Sequence, residues 1–182
     1  AAAAIEVEYE VLEPVTDPEA ALRPDAPRVH PTGNLLKTWQ IKRGDADAAL
    51  ARAAHVVTEP FQTQFIEHAF LEPESSLAWD TDEGMRVYSG GQGIWDDRRQ
   101  IARLLGEPER RVRVSLVSNG GAFGAKEDLG INGHAAILAR MSGRPMKLTL
   151  SRQESIRMHV KRHPLRMTYT VGCDERGRLT VV

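Results

Sequence analysis

Apolar and acidic positions alternate from Ala4 to Glu10, the two-residue period of a strand with one wet face. The same period, or a short continuous apolar run, predicts strands over residues 36–43, 55–65, 68–79, 85–89, 112–117, 146–150, 165–171 and 179–182. Asp80-Thr-Asp-Glu-Gly84 supplies turn chemistry between two of them, and the last pair predicts an antiparallel hairpin. Helical spacing takes over in between. Asp45 is placed to cap a short alanine-rich helix through Ala53. Ile94, Arg98, Ile101 and Leu105 line one side of a second helix, with Gly106 and Pro108 as its stop. Residues 127–142 read as a third, ended by Gly143, and Ser151 with Glu154 forms a capping box for a fourth. Five prolines between Pro14 and Pro31, with little apolar periodicity, predict an extended connector without helix or central strand, lying across another domain. The class is α+β, with mixed sheets and helices that follow glycine-rich turns.

Composition narrows the field. The formal charge of −1 gives no global field for nucleic acid or an acidic partner. Acidic residues do gather between Glu6 and Glu19, and basic ones between Arg144 and Arg166. Solvated surface accounts for both clusters; for the basic one, a face toward an anionic cofactor or another subunit is the alternative. The basic stretch lacks the interleaved aromatics of a nucleic-acid module, so no nucleic acid is expected. Cys173 stands alone, which excludes an internal disulfide and an iron–sulfur cluster or Cys-based zinc site held by this chain. A cytoplasmic, reducing setting fits. No apolar run nears bilayer length, so no membrane is expected. The four opening alanines and the strand-like run halted at Val182 suggest that both ends are cut.

Two glycine clusters sit between a strand and a helix: Ser89-Gly90-Gly91-Gln92-Gly93 and Asn119-Gly120-Gly121-Ala122-Phe123-Gly124-Ala125-Lys126-Glu127. Glycine lets backbone amides approach a ligand, and the helix end that follows favours anions and oxo groups; two tight turns without a ligand would account for the same residues. The second cluster fails as a Walker A loop, because Glu127 stands where a hydroxyl should bind metal. It fails as a dinucleotide fingerprint because Asn119 replaces the first glycine. Gln92 offers an amide that donates and accepts at once; Glu127 offers a carboxylate at the expected helix start. Each has a plain reading too, as a turn residue facing water and as an ordinary first-turn acid. Glu67, His68 and Glu72 lack a zinc spacing, as do His134, His159 and His163, and no protein-held metal is expected. Arg162 is read as a structural contact.

Four stretches then carry a family likeness, in order: Q-F-I-E-H-A-F-L-E-P (64–73), G-G-Q (90–92), N-G-G-A-F-G-A-K-E (119–127), and R-P-M-K-L-T-L-S-R-Q-E-S (144–155) leading to K-R-H-P (161–164). The chain resembles the molybdenum-binding region of the xanthine dehydrogenase / aldehyde oxidase family. The resemblance implies the first half of a molybdenum cofactor-binding region over residues 37–182. Residues 1–36 would be the end of a hammerhead-like domain and its connector. The family hydroxylates an electron-poor carbon with oxygen from water, using molybdenum held by a pterin dithiolene. Iron–sulfur clusters and often FAD, on other domains or subunits, take the electrons. Carried over by position, Gln92 matches the amide that donates to an oxo group of the molybdenum. Phe123 and Gly124 match the loop whose amides approach the cofactor. Glu127 matches the carboxylate that binds purine in xanthine-oxidising members; aldehyde-oxidising relatives often have an apolar residue there. The implied substrate is a purine-like N-heterocycle, with an aldehyde or a non-catalytic scaffold role as alternatives. Glu127-Asp128 is similar to the bacterial selenium-dependent, xanthine dehydrogenase-like subgroup. The family's catalytic base and most pterin contacts lie downstream, so the chain alone is expected to be inactive and to hold the cofactor weakly. Asn119, Ala122 and Ala125 depart from the usual G-G-G-F-G-G-K-E, which puts the loop geometry in question.

Overall fold

The computed structural model describes residues 4–182. The chain divides into two compact units, Ala1–His55 with Gly172–Val182, and Val56–Val171.

In the smaller unit, residues 5–17 form no strand; their alternation finds no partner for its hydrogen bonds. The proline-rich stretch holds a helical turn, α1 (Pro18–Ala21), against the expectation of none. The reason is local: Pro18 occupies the first helical turn, where its missing N–H is no loss, and Asp17 accepts from the Glu19 and Ala20 amides. Asn34 ties the loop that follows, accepting from Val29 N–H and donating to the Ala21 and Pro27 carbonyls, at 2.8–2.9 Å. Residues 36–43 also form no strand. Asp45 caps α2 (Ala46–Arg52), as its position predicted. The Gly172 backbone lies so close to α2 that a Cβ there would come within 2.8 Å of both Ala53 Cβ and Val181 Cγ1.

The larger unit contains β1 (His55–Gln62, from Val56 onward), β2 (Ser75–Thr81), β3 (Gly84–Ser89), α3 (Ile94–Leu105), β4 (Val112–Leu116), α4 (Ile131–Ser142), β5 (Met146–Thr149), α5 (Arg152–Met158) and most of β6 (Arg166–Cys173). The last residues of β6, Gly172 and Cys173, pair antiparallel with β7 (Leu179–Val181) in the smaller unit. The predicted strand over 68–79 shrinks to β2, because residues 63–74 turn through Ala69, at φ 51°, to build a side-chain cluster described below.

Strand order in the central sheet is β4-β3-β2-β5. β2–β3 is a hairpin in the register Ser76↔Ser89 to Thr81↔Gly84; β3 and β4 run parallel, joined by α3. Gly84 is required at its turn: at φ 120° a Cβ would sit 2.0 Å from the Arg111 carbonyl oxygen. The two-residue period buries Met85, Val87 and Ser89 on one face of β3, and Ser76 and Ala78 on the same face of β2. Ile101 and Ala102 of α3 and Ala135, Ala136 and Ala139 of α4 close that core. Each helix ends on a left-handed glycine, Gly106 and Gly143. Arg140 of α4 bridges Asp80 and Glu107 over the core's far edge. The capping box Ser151–Glu154 starts α5 as predicted.

Candidate functional site

Both glycine clusters emerge from the same end of the sheet, one after β3 and the other after β4. They are bonded to each other. Gln92 Oε1 accepts from Gly124 N–H at 2.9 Å and from Lys126 N–H at 3.4 Å, and Gln92 N–H donates to the Lys126 carbonyl at 2.8 Å. Asn119 Nδ2 donates to the Gly90 carbonyl. The residue that departs from the family pattern at 119 thus laces the loops together. Ala122 and Ala125 are buried and absent from the positive-φ residues, so neither needs glycine's freedom. Gly121 and Gly124 do, at φ 104° and 95°. Phe123 lies between them at φ 55°, its ring exposed. A non-glycine residue held in the left-handed region is costly and persists only where its neighbours fix it.

The second loop has its own support, which sequence reasoning did not find. Glu72 Oε2 accepts from Gly120 N–H at 2.6 Å. The buried ammonium of Lys126 donates to the Glu72 carbonyl at 2.9 Å, lies 3.4 Å from Glu72 Oε2, and covers the Phe70 ring at 4.6 Å. The Gly120 amide lowers the Glu72 pKa most, against the effect of burial, and Lys126 adds to the fall. A Cβ on Gly120 would lie 2.6 Å from Glu72 Cβ, so only glycine lets the carboxylate reach that amide.

Glu127 does not begin a helix. It lies in a bend, and α4 starts at Ile131 after Gly130, whose φ −93° and ψ −133° break the continuation. Glu127 and Gln92 are both exposed, and their backbones are neighbours: a Cβ on Gly93 would lie 3.3 Å from the Glu127 carbonyl oxygen. A cavity of about 350 Å³ opens beside the loops, lined by Gly90, Gly91, Lys126, Asp128 and His134 among others. Neither Gln92 nor Glu127 lines it.

Glu67, His68 and Glu72 go to different tasks. His159, nearly buried, lies 2.7 Å from Glu67 Oε1 through Nε2 and 3.5 Å from Glu74 through Nδ1, with Lys161 Nζ 3.1 Å from Glu67 Oε2. The His68 ring stands edge-on to His159 with centroids 6.0 Å apart. Among the described residues no group of three His, Cys, Asp or Glu could hold a metal ion. Arg162 makes a main-chain bridge to Ile66. Burial opposes the Glu67 charge, but the Ala69 amide, Lys161 and His159 outweigh it and hold its pKa at about 2, from 4.5. A depressed carboxylate pKa stabilises the fold above the unfolded value and stops doing so as pH falls through the folded one. The melting temperature is therefore expected to drop between pH 4.5 and about 2, and Glu67→Gln to flatten that slope in a thermal-melt pH series. An unchanged slope would remove Glu67 as its source.

Residues 29–182 match the family described as "Molybdopterin cofactor-binding domain". The chain belongs to that family. It is 39% identical to a probable xanthine dehydrogenase subunit of Bacillus subtilis (strain 168), over 96% of this chain and 24% of that protein. It is 36% identical to the nicotinate dehydrogenase large molybdopterin subunit of Eubacterium barkeri, over 98% of this chain and 42% of that one. The aldehyde oxidoreductase of Desulfovibrio gigas shares the fold, with a TM-score of 0.87 and 25% identity over 96% of this chain and 20% of that structure's chain. The chain thus spans less than half the length of these relatives. The mixed α+β architecture is that of a molybdopterin cofactor-binding domain. Among the described residues no helix is long and apolar enough to cross a membrane.

Proposed function

We propose that this chain forms one wall of the active site in a molybdenum hydroxylase acting on a purine-like N-heterocycle. One observation carries the reading: two amides of the second loop donate to Gln92 Oε1, which fixes the orientation of its side-chain amide. Nε2 is left as a donor with no partner among the described residues. The amides of Gly121, Ala122 and Phe123 also lack a protein acceptor among the described residues. A pre-aimed amide beside unpaired N–H groups fits an oxygen-rich, anionic cofactor. Gln92 and the Phe123 amide would hold the molybdenum-pterin group, which when bound supplies oxygen transfer from water and a two-electron sink, while Gly124, its amide given to Gln92 Oε1, would act by aiming that side chain.

Glu127 is the substrate-facing candidate. Exposed on the loop that also carries Phe123, its carboxylate can accept from a ring N–H and hold a heterocycle in one orientation. The names of two relatives, a xanthine and a nicotinate dehydrogenase, both refer to nitrogen heterocycles. The full-length enzyme would take its base and most pterin contacts from sequence beyond this chain, and would pass electrons to iron–sulfur and flavin partners.

In that enzyme Glu127→Ala is expected to raise KM and lower kcat for xanthine, a combined loss of about a hundredfold in kcat/KM. Steady-state assays with xanthine and a simple aromatic aldehyde test this. A loss confined to xanthine supports the heterocycle reading. Unchanged xanthine kinetics would take Glu127 out of the site, and a wild-type preference for the aldehyde would replace the substrate class.

A further inference from the structure

Beneath the two loops lies a polar cluster that the proposed chemistry does not use. Asp97, in the first turns of α3, is 1% exposed. Its Oδ2 accepts from Ser89 Oγ at 3.0 Å and from Asn132 Nδ2 at 3.0 Å. Asn132 Nδ2 also lies 2.9 Å from Ser89 Oγ, and that oxygen accepts from Gly91 N–H at 3.0 Å. The three side chains come from three places: the end of β3 where the first loop begins, the helix that follows the first loop, and the helix that follows the second. The backbone is pressed onto them. A Cβ on Gly91 would lie 3.0 Å from Ser89 Oγ, 3.2 Å from Asp97 Oδ2 and 3.2 Å from the Lys126 carbonyl oxygen.

We propose that Asp97 is a positioning residue that couples the two glycine loops, through Ser89 to Gly91 and through Asn132 to the start of α4, and so sets where the Gln92 amide points. The proposal rests on the functional reading only for its effect on turnover; the coupling itself is a property of the fold. A buried carboxylate with two donors on one oxygen is a strong local constraint, because loosening any partner leaves a polar group unpaired in a dry place. Burial raises the Asp97 pKa, with Asp96 adding to the rise, while Ser89 and Asn132 pull it down. The site therefore needs an acceptor more than it needs a charge, and asparagine is the conservative replacement.

Amide hydrogen exchange on the protein, read at residues 90–93 and 119–127, tests the coupling. Asp97→Leu is expected to speed exchange about tenfold in both segments while the β2–β3 amides keep their protection. Asp97→Asn is expected to restore both segments to within about threefold of the parent. Should Asp97→Leu fail to fold, Ser89→Ala carries the test: it removes one hydroxyl and is expected to speed exchange in both segments. Faster exchange at 90–93 alone, or no rescue by asparagine, overturns the proposal. In the cofactor-loaded full-length enzyme, Ser89→Ala is expected to lower kcat about tenfold with KM within about twofold. If the loops are coupled but the wild-type enzyme lacks hydroxylase activity, the functional reading fails and Asp97's structural role stands. Coupled loops with unchanged Ser89→Ala turnover would refute the effect on Gln92.

Discussion

Gln92→Ala in the full-length enzyme is expected to lower kcat about a hundredfold while KM moves less than about threefold. Two losses combine. The Nε2 donor, which we assign to the cofactor, is gone, and single donors of this kind are worth about two to three orders of magnitude in turnover. The Oε1 acceptor is also gone, so the Gly124 and Lys126 amides lose the partner that holds the second loop. Gln92→Glu separates the two: it keeps an acceptor for both amides and removes the donor. It should therefore lose turnover with little change in loop protection. Steady-state kinetics, normalised to molybdenum content, provide the check. A change in KM alone would mean that Gln92 touches substrate and not the cofactor.

Lys126→Ala is expected to destabilise the protein by about 2 kcal/mol, a fall of roughly 6 °C in melting temperature. The ammonium is almost wholly buried, whereas the Glu72 carboxylate is 42% exposed, so the pair falls below the worth of a fully buried one. The Glu72 carbonyl would lose its donor and the Phe70 ring its cation. Lys126→Met keeps the apolar stem and should recover about half of the loss. Calorimetry on the three proteins decides it. An alanine variant that melts with the parent would show that the second loop is held by Gln92, Asn119 and the Glu72–Gly120 bond without the ammonium.

How much of the fold and site is legible in the sequence follows from the range of each interaction. Caps and stops are local. Asp45, Ser151 with Glu154, Gly106 and Gly143 work through residues within one helical turn, and each is readable from the sequence. The glycine clusters are visible as clusters, and their resemblance to a family gives Gln92 and Glu127 provisional roles. Elements that need a distant partner are not readable in this way. Residues 5–10 and 36–43 have the strand period but no neighbour to pair with. The stretch 68–74 has it too, yet the side chains of His68, Phe70 and Glu74 are drawn toward His159 and that of Glu72 toward Gly120. The alanine-rich pattern places the start of α4 too early, because it hides the break at Gly130. Asp97 and Lys126 are invisible for a simple reason: their partners lie 8 to 54 residues away, and nothing near them in sequence marks a buried charge.

The alanine face of α4 sets how motion at the back of the sheet reaches the loops. Ala135, Ala136 and Ala139 bring the helix backbone close onto the buried Ala78, Met85 and Val87 side chains of β2 and β3, with only methyl groups on the helix side. Close-packed interiors compress little. A push on the β2–β3 hairpin is thus passed to α4 as a rigid displacement, and the polypeptide that runs into that helix from Phe123 must follow.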